Sequence, residues 1–185
     1  MLLFMPDFDP FNDRLARDIR NALAETMVAN LPTLDSAPVE DCAAAFAAGE
    51  ITDAHRVYLH DRLRRYQRAY ATLREHETTD PFQQALVLWD ANLFFEVHEI
   101  MESLWKKSTG DEKLALQAMF RAAGTYVHLE QGNKTAARSM ADKAIAGFSA
   151  YGKSLPALID LNALCNALSE LSSTAPSLDN SLQQR

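Results

Sequence analysis

A histidine and a glutamate stand four residues apart in the segment FFEVHEIMESLW, residues 94–105. On a helix, residues i and i+4 lie on one face, so the imidazole of His98 and the carboxylate of Glu102 can meet. Glu99 follows His98 directly, and the indole of Trp105 lies on the same side, one turn beyond Glu102. Imidazole and carboxylate ligands suit borderline divalent cations such as zinc, iron, manganese or nickel. The spacing therefore indicates a polar site, and metal binding is one chemistry that it could support.

The next predicted helix carries polar residues on one face. A glycine within that face costs about 1 kcal/mol of helix stability relative to alanine, which suggests close approach of another segment or of a ligand. If the two helices pack antiparallel, this face turns towards His98 and Glu102. The stripe consists of Gln117, Arg121, Gly124 and His128. We therefore predict metal ligands at His98, Glu102 and His128, in a pocket formed by Glu99, Trp105, Gln117, Arg121 and Gly124.

The helix that carries His98 is apolar over most of its circumference. Val97, Ile100, Met101 and Leu104 cover the arc opposite the polar site, which leaves Glu96 and Ser103 for solvent. A helix with so wide an apolar arc is predicted to be buried on more than one side. A carboxylate near such a boundary needs a partner, because burial of an unpaired charge is costly.

Three interpretations of the cluster remain open from the residues alone. In the first, His98 and Glu102 belong to a buried polar network that fixes helix register and binds nothing. In the second, they bind a divalent transition metal with a third ligand from His128 or Glu99. In the third, His98 is a general base oriented by Glu102, and Arg121 holds an anionic substrate. A zinc-protease motif is excluded, because position 102 is not a second histidine.

Helical periodicity runs along the whole chain, and no segment alternates as a strand would. Asp9-Pro10, Thr52-Asp53 and Asp80-Pro81 are helix starts, and Gly132-Asn133 is a left-handed helix end. The chain is predicted to be all-α, with about seven helices and tetratricopeptide-like antiparallel hairpins in residues 80–151. Residues 1–79 form an N-terminal helical arm packed on the core, residues 80–172 form the core domain, and the polar tail, residues 173–185, is predicted to be disordered.

Composition restricts the possible partners. The net charge is −7, and no basic patch offsets it, which argues against nucleic-acid binding. His55, His60 and His76 lie in polar, arginine-rich surroundings and are predicted to be solvated. No segment has the length or apolarity of a signal peptide or a membrane span, so no membrane association is expected and a cytoplasmic location is predicted.

The motif His98-x-x-x-Glu102-x-x-Trp105 resembles the signature of the domain-of-unknown-function 309 family, small helical proteins of bacteria and archaea. The resemblance extends to FEVHEIMESLW and to LQAMFRAAGTYVHLEQGN in the next helix, and it covers residues 85 to 150. It implies a helical fold and a metal site at His98 and Glu102, with His128 and Gln117 as further candidates. Arg121 departs from the family pattern, which more often has an uncharged glutamine there.

A competing class of function is a non-enzymatic, tetratricopeptide-like module that binds a protein or peptide. Helical hairpins form concave surfaces for such partners. The N-terminal arm either covers the pocket or supplies a homodimer contact, and the sequence does not decide between the two. In this interpretation Phe94, Trp105, Arg121 and Tyr126 line a groove, and the pair His98 and Glu102 only shapes it. In this interpretation the protein holds no metal, and loss of His98 should leave the fold intact while binding of the partner weakens. The sequence does not decide whether the protein is an enzyme, and it names no substrate.

Overall fold

The prediction of an all-α protein is confirmed by a computed structural model, which describes residues 8–178. Among these residues there are eight α-helices, one more than the expected seven or so, and no strand. A turn of 3-10 helix at Gly152–Ser154 and a proline at position 156 precede the last helix, which begins at Leu161. The helices are α1 Arg14–Ala29, α2 Ala37–Ala47, α3 Asp53–Glu75, α4 Pro81–Asp90, α5 Phe94–Lys107, α6 Gly110–Glu130, α7 Lys134–Tyr151 and α8 Leu161–Glu170.

The predicted helix start at Asp9-Pro10 is wrong, because residues 10–12 form a turn and α1 begins at Arg14 with Asp13 as its N-cap.

The other predicted helix starts and stops follow local chemistry. Thr52 is the N-cap of α3, and Asp80 is the N-cap of α4 with Pro81 in its first turn. Gly132 adopts a positive φ of 69° just beyond the end of α6, as a left-handed helix end requires. The side chain of Asn133 then accepts a hydrogen bond from the N–H of Ala136 and caps α7. Within the described residues, no helix is both long and apolar enough to cross a bilayer.

The helices form two compact units, which divide between Thr79 and Asp80. The first unit contains α1 to α3. Its core is a stripe of α1 side chains (Ile19, Leu23 and Met27) and a row on α3 (Tyr66, Tyr70 and Leu73), all fully buried. The hydroxyl of Tyr70 donates a hydrogen bond to the carbonyl of Met27, 3.3 Å away, which satisfies that buried polar group within the core.

Two helix starts of the first unit are joined by Asp13 and His55. The carboxylate of Asp13 accepts from the N–H of Leu15 and so caps α1. It also lies 3.0 Å from Nε2 of His55, whose Nδ1 lies 2.9 Å from the hydroxyl of Thr52 in the capping box of α3. His55 is only 3% exposed, so the prediction that it is solvated is wrong. Its partner Asp13 is 42 residues away in sequence, and no local pattern reveals the pairing.

Replacing Asp13 by alanine is expected to lower the free energy of unfolding by about 1–2 kcal/mol at pH 7, through loss of the cap and of the histidine's partner. Burial raises the pKa of Asp13, but hydrogen bonds from backbone N–H groups and from His55 outweigh it, so the pKa lies below its usual value. A carboxylate with a depressed folded pKa stabilises the fold above its unfolded pKa and loses that contribution as the pH falls through the folded value. The loss should therefore shrink below about pH 4.

Urea unfolding at pH 7, 5 and 3 measures this effect, and Asp13→Asn serves as a control that retains a capping side chain without the charge. The asparagine variant should lack the part of the pH dependence of stability that comes from Asp13, and it should retain part of the stability that the cap contributes. An equal loss for Asp13→Ala at pH 3 and pH 7 would contradict an ionised Asp13 as the origin.

The second unit contains α4 to α8, with α6 packed against both α5 and α7. Its largest buried side chains, Trp89, Phe94 and Tyr126, form an aromatic cluster. Trp89 meets Phe94 and Tyr126 edge to face at ring-centre distances of 5.1 and 5.3 Å, and Phe94 stacks on Tyr126 at 4.8 Å. The cluster ties together α4, α5 and α6, and so holds the helices that carry the candidate site.

The start of the predicted tail bonds to α4. Nε1 of Trp89 donates to the carbonyl of Pro176 at 2.9 Å, and the N–H of Leu178 donates to the carboxylate of Asp90 at 2.8 Å. Leu178 itself is fully buried. The part of the tail beyond this residue, 179–185, lies outside the described residues.

Candidate functional site

The antiparallel packing of α5 and α6 positions the candidate site. At the start of α5, the ring of His98 lies beside Gly124, late in α6, whereas Trp105 at the end of α5 lies beside Lys113, early in α6. The connection is only two residues long, Ser108 and Thr109, which leaves little choice but a reversal of chain direction. The polar stripe of α6 is therefore brought to the His98 side of α5.

The site itself is built from three side chains of a single helix. His98, Glu99 and Glu102 each offer a ligand atom, and these atoms lie within 4.8 Å of one another. Nδ1 of His98 is 3.4 Å from a carboxylate oxygen of Glu99, and the two side chains are 27% and 36% exposed. Glu102 is 34% exposed and pairs with the ammonium of Lys106 at 3.2 Å. All three groups are accessible to solvent, and the carboxylate of Glu102 is already paired with the ammonium of Lys106.

Aromatic rings cover the inner side of this cluster. Phe120 of α6 meets the imidazole of His98 edge to face at 5.4 Å and the indole of Trp105 at 5.8 Å. Phe95 stacks on the imidazole from its own helix at 6.4 Å. The ammonium of Lys113 lies 4.8 Å from the centre of the Trp105 ring, over its face. The rings limit the directions from which His98 can bind a ligand.

Phe120 is the site residue that the sequence analysis missed. It lies beside the polar stripe of α6, and its apolar side chain suggested no role in a polar pocket. Lys113, Phe120 and Gly124 are spaced by seven and four residues and so lie on one face of α6. Because Lys113 and Gly124 both face α5, this spacing predicts that Phe120 faces α5 as well.

The other predicted pocket residues lie on α6, and Gly124 is the closest of them to His98. A β-carbon placed on Gly124 would lie 3.9 Å from Cδ2 of His98 and 3.6 Å from Cε of Met140 in α7. Gln117, Arg121 and His128 are half-buried on the same face. His128 does not belong to the cluster of possible ligand atoms, since it lies one helical turn, about 6 Å, beyond the level of Gly124. The arrangement leaves Glu99 as the third possible ligand.

Two predictions about neighbouring side chains are wrong. Glu96 was expected in solvent, but it is fully buried, because the buried surface of α5 extends further round the helix than its apolar residues do. Its place in the first turn favours a negative charge there through the helix dipole. Phe94 and Tyr126 were expected to line a groove if the protein binds a partner, but both are fully buried in the aromatic cluster.

Comparison with protein families relates this region to other proteins. Residues 82–140 match the family model described as "Domain of unknown function (DUF309)". This segment is similar to the DUF309 domain. The match spans α4, α5, α6 and the start of α7, and so includes the entire candidate site. It confirms the family suggested by the sequence. Neither curated proteins nor solved structures gave a match.

The geometry of this segment defines what its candidate site can do. One imidazole nitrogen and up to four carboxylate oxygens lie on one side of a helix, and the facing helix covers the other side. Such a set can bind one cation on one side of its coordination sphere and leave the remaining positions to water or to a second ligand. The mixed nitrogen and oxygen donors favour a transition metal over calcium or magnesium, which prefer oxygen alone.

Proposed function

We propose that the DUF309 domain of this protein binds a divalent transition-metal ion through His98, Glu99 and Glu102. The observation that carries the proposal is the convergence of an imidazole nitrogen and two carboxylate oxygens within 4.8 Å of one another. Helical spacing brings these groups together, and rings packed on His98 from Phe95 and Phe120 reduce the freedom of its imidazole. A ligand held in position before the metal arrives loses less conformational freedom on binding.

Lys106 competes with the metal in this proposal. Its ammonium lies 3.2 Å from the carboxylate of Glu102, so a metal that takes this oxygen must displace the lysine. Exposed pairs of this type at i, i+4 contribute about 0.3–0.5 kcal/mol, which corresponds to about a twofold change in affinity. Lys106→Gln should therefore bind the metal slightly more tightly.

The test is calorimetric titration of chelator-treated protein with Zn²⁺, Mn²⁺ and Ni²⁺, together with elemental analysis of the untreated protein. We expect one metal ion per chain. His98→Ala and Glu102→Gln should each lose at least about tenfold in affinity, since even the residues that orient metal ligands contribute that much. The matched control is His60→Ala, because His60 is an exposed histidine of the other unit.

Melting curves show whether each variant is folded. Absence of metal from the parent protein, or equal binding by parent and a folded His98→Ala variant, would contradict the proposal. If no metal binds and His98→Ala lowers the melting temperature by several degrees, the cluster is a structural network.

A peptide-binding module remains the alternative function, with tetratricopeptide-like hairpins as its framework. The burial of Phe94 and Tyr126 removes two of the four groove residues on which that alternative depended. Trp105 and Arg121 are the remaining half-exposed members. The metal proposal requires no residue that the fold has buried, and for that reason we favour it.

A further inference from the structure

Arg121 is half-buried, and no charged group among residues 8–178 pairs with its guanidinium. Arg65, for comparison, pairs with Asp61 at 2.7 Å, and Arg138 pairs with Asp142 at 3.5 Å. Within residues 8–178, the guanidinium of Arg121 makes no ion pair and no hydrogen bond. A guanidinium carries five donors in a planar fork that matches the oxygens of a carboxylate or phosphate. A partly buried, unpaired fork is therefore a candidate for binding an anion from outside the chain.

The register of α5 and α6 places Arg121 on the flank where the metal ligands lie. Arg121 is three residues before Gly124, about 60° round the helix and about 4.5 Å along it. On α5, Glu99 and Glu102 lie about 100° and 40° round the helix from His98. Because the two right-handed helices run antiparallel, offsets of the same sign fall on the same side of their contact line. Arg121 thus lies on the flank of the two carboxylates, at a level between Glu99 and Glu102, and Gln117 lies at the level of Trp105.

A third helix borders the same flank. Met140 of α7 and His98 both lie near Gly124, since a β-carbon on the glycine would meet Cε of Met140 at 3.6 Å and Cδ2 of His98 at 3.9 Å. The polar stripe of α6 is therefore bordered by α5 and by α7 at this level. A small ligand bound at the half-buried Arg121 would lie on the same flank as the exposed side of the cluster.

The charges of Arg121 and of the cluster favour an anion once a metal is present. Glu99 and Glu102 carry two negative charges, which a divalent ion neutralises. The positive charge of Arg121 then has no counterpart, and Lys106 is released from its pair with Glu102. A metal with open positions beside a guanidinium binds an oxyanion at two points, with the metal on one oxygen and the fork on the others.

We propose that Arg121 and the metal held by His98, Glu99 and Glu102 together bind a small oxyanion, a carboxylate or a phosphate. This inference rests on the proposed metal site. Arg121 is the residue that selects the anion, and it is not a metal ligand.

The experiment titrates metal-loaded protein with inorganic phosphate and, separately, with acetate, by calorimetry. We expect one of the two anions to bind. Arg121→Gln should lower the affinity for that anion by at least tenfold, while the affinity for the metal alone changes by less than threefold. Arg121→Lys, which retains the charge without the fork, should restore part of the binding. Arg138→Gln is the matched control, because it removes an arginine of the same unit that already has a partner.

The outcomes separate this inference from the metal site. Binding of phosphate only, or of acetate only, supports it and identifies the anion class. Normal metal binding with no anion binding, or with equal anion binding in a folded Arg121→Gln variant, overturns the inference and leaves the metal site intact. Equal anion binding by metal-free and metal-loaded protein overturns the joint site. A parent protein that binds no metal overturns both, and the metal titration by itself reveals that case.

Discussion

Replacement of Trp89 by alanine is expected to lower the free energy of unfolding by about 3–5 kcal/mol, the usual cost of truncating a buried aromatic residue. Trp89 is 1% exposed and meets two other rings edge to face. Its removal leaves a cavity at the point where α4, α5 and α6 join. The indole also donates a hydrogen bond to Pro176, so its loss releases the segment that packs on α4. Urea unfolding followed by circular dichroism measures the change.

Two control variants separate the sources of this effect. Trp89→Phe retains most of the apolar ring but loses the hydrogen bond to Pro176, and should lose clearly less stability than Trp89→Ala. Trp105→Ala removes the other tryptophan, which is half-exposed, and should cost less than Trp89→Ala. A loss below about 1 kcal/mol for Trp89→Ala would show that the aromatic cluster does not hold the three helices together.

Replacement of Gly147 by alanine is expected to destabilise the protein by about 1–3 kcal/mol, although alanine is the better helix former. A β-carbon on Gly147 would lie 2.8 Å from the β-carbon of Ala118 and 3.6 Å from its α-carbon. Neither atom can move without the backbone of α6, so the contact forces α6 and α7 apart. Thermal and urea unfolding of the variant would show the loss directly.

Gly124 provides the matched control, because it is also a glycine within a helix of the same unit. A β-carbon there would make only ordinary contacts, at 3.6 and 3.9 Å. Gly124→Ala should therefore stabilise the protein by about 0.5–1 kcal/mol through helix propensity. Similar losses of stability in Gly147→Ala and Gly124→Ala would contradict this difference between the two glycines.

The positions of the helices could be predicted from the sequence because helix formation depends mainly on neighbouring residues. Asp80-Pro81, Thr52 and Gly132-Asn133 act within one turn, and the structure confirms each of them. The three candidate metal ligands could also be predicted from the sequence for this reason. His98, Glu99 and Glu102 are neighbours on one helix, so their mutual distances are set by helical spacing alone.

Other features were decided only by the tertiary structure. The pairing of His55 with Asp13 joins residues far apart in the chain, and a polar sequence context wrongly suggested a solvated histidine. Glu96 is buried because of what surrounds α5, although its own residue type favours solvent. Gly147, which was not singled out in the sequence, is the glycine that permits the close contact with Ala118.

The distinction has one physical reason. A helix fixes the relative positions of residues up to about four apart by its own hydrogen bonds, so the sequence determined the helices and the three clustered side chains. Contacts between helices depend on the shapes of both surfaces and on the register at which they fit. That register set Phe120 against His98 and Trp105, and placed Arg121 across from the carboxylates. The sequence by itself determined the candidate ligands, and only the packing of α5, α6 and α7 decided what could reach them.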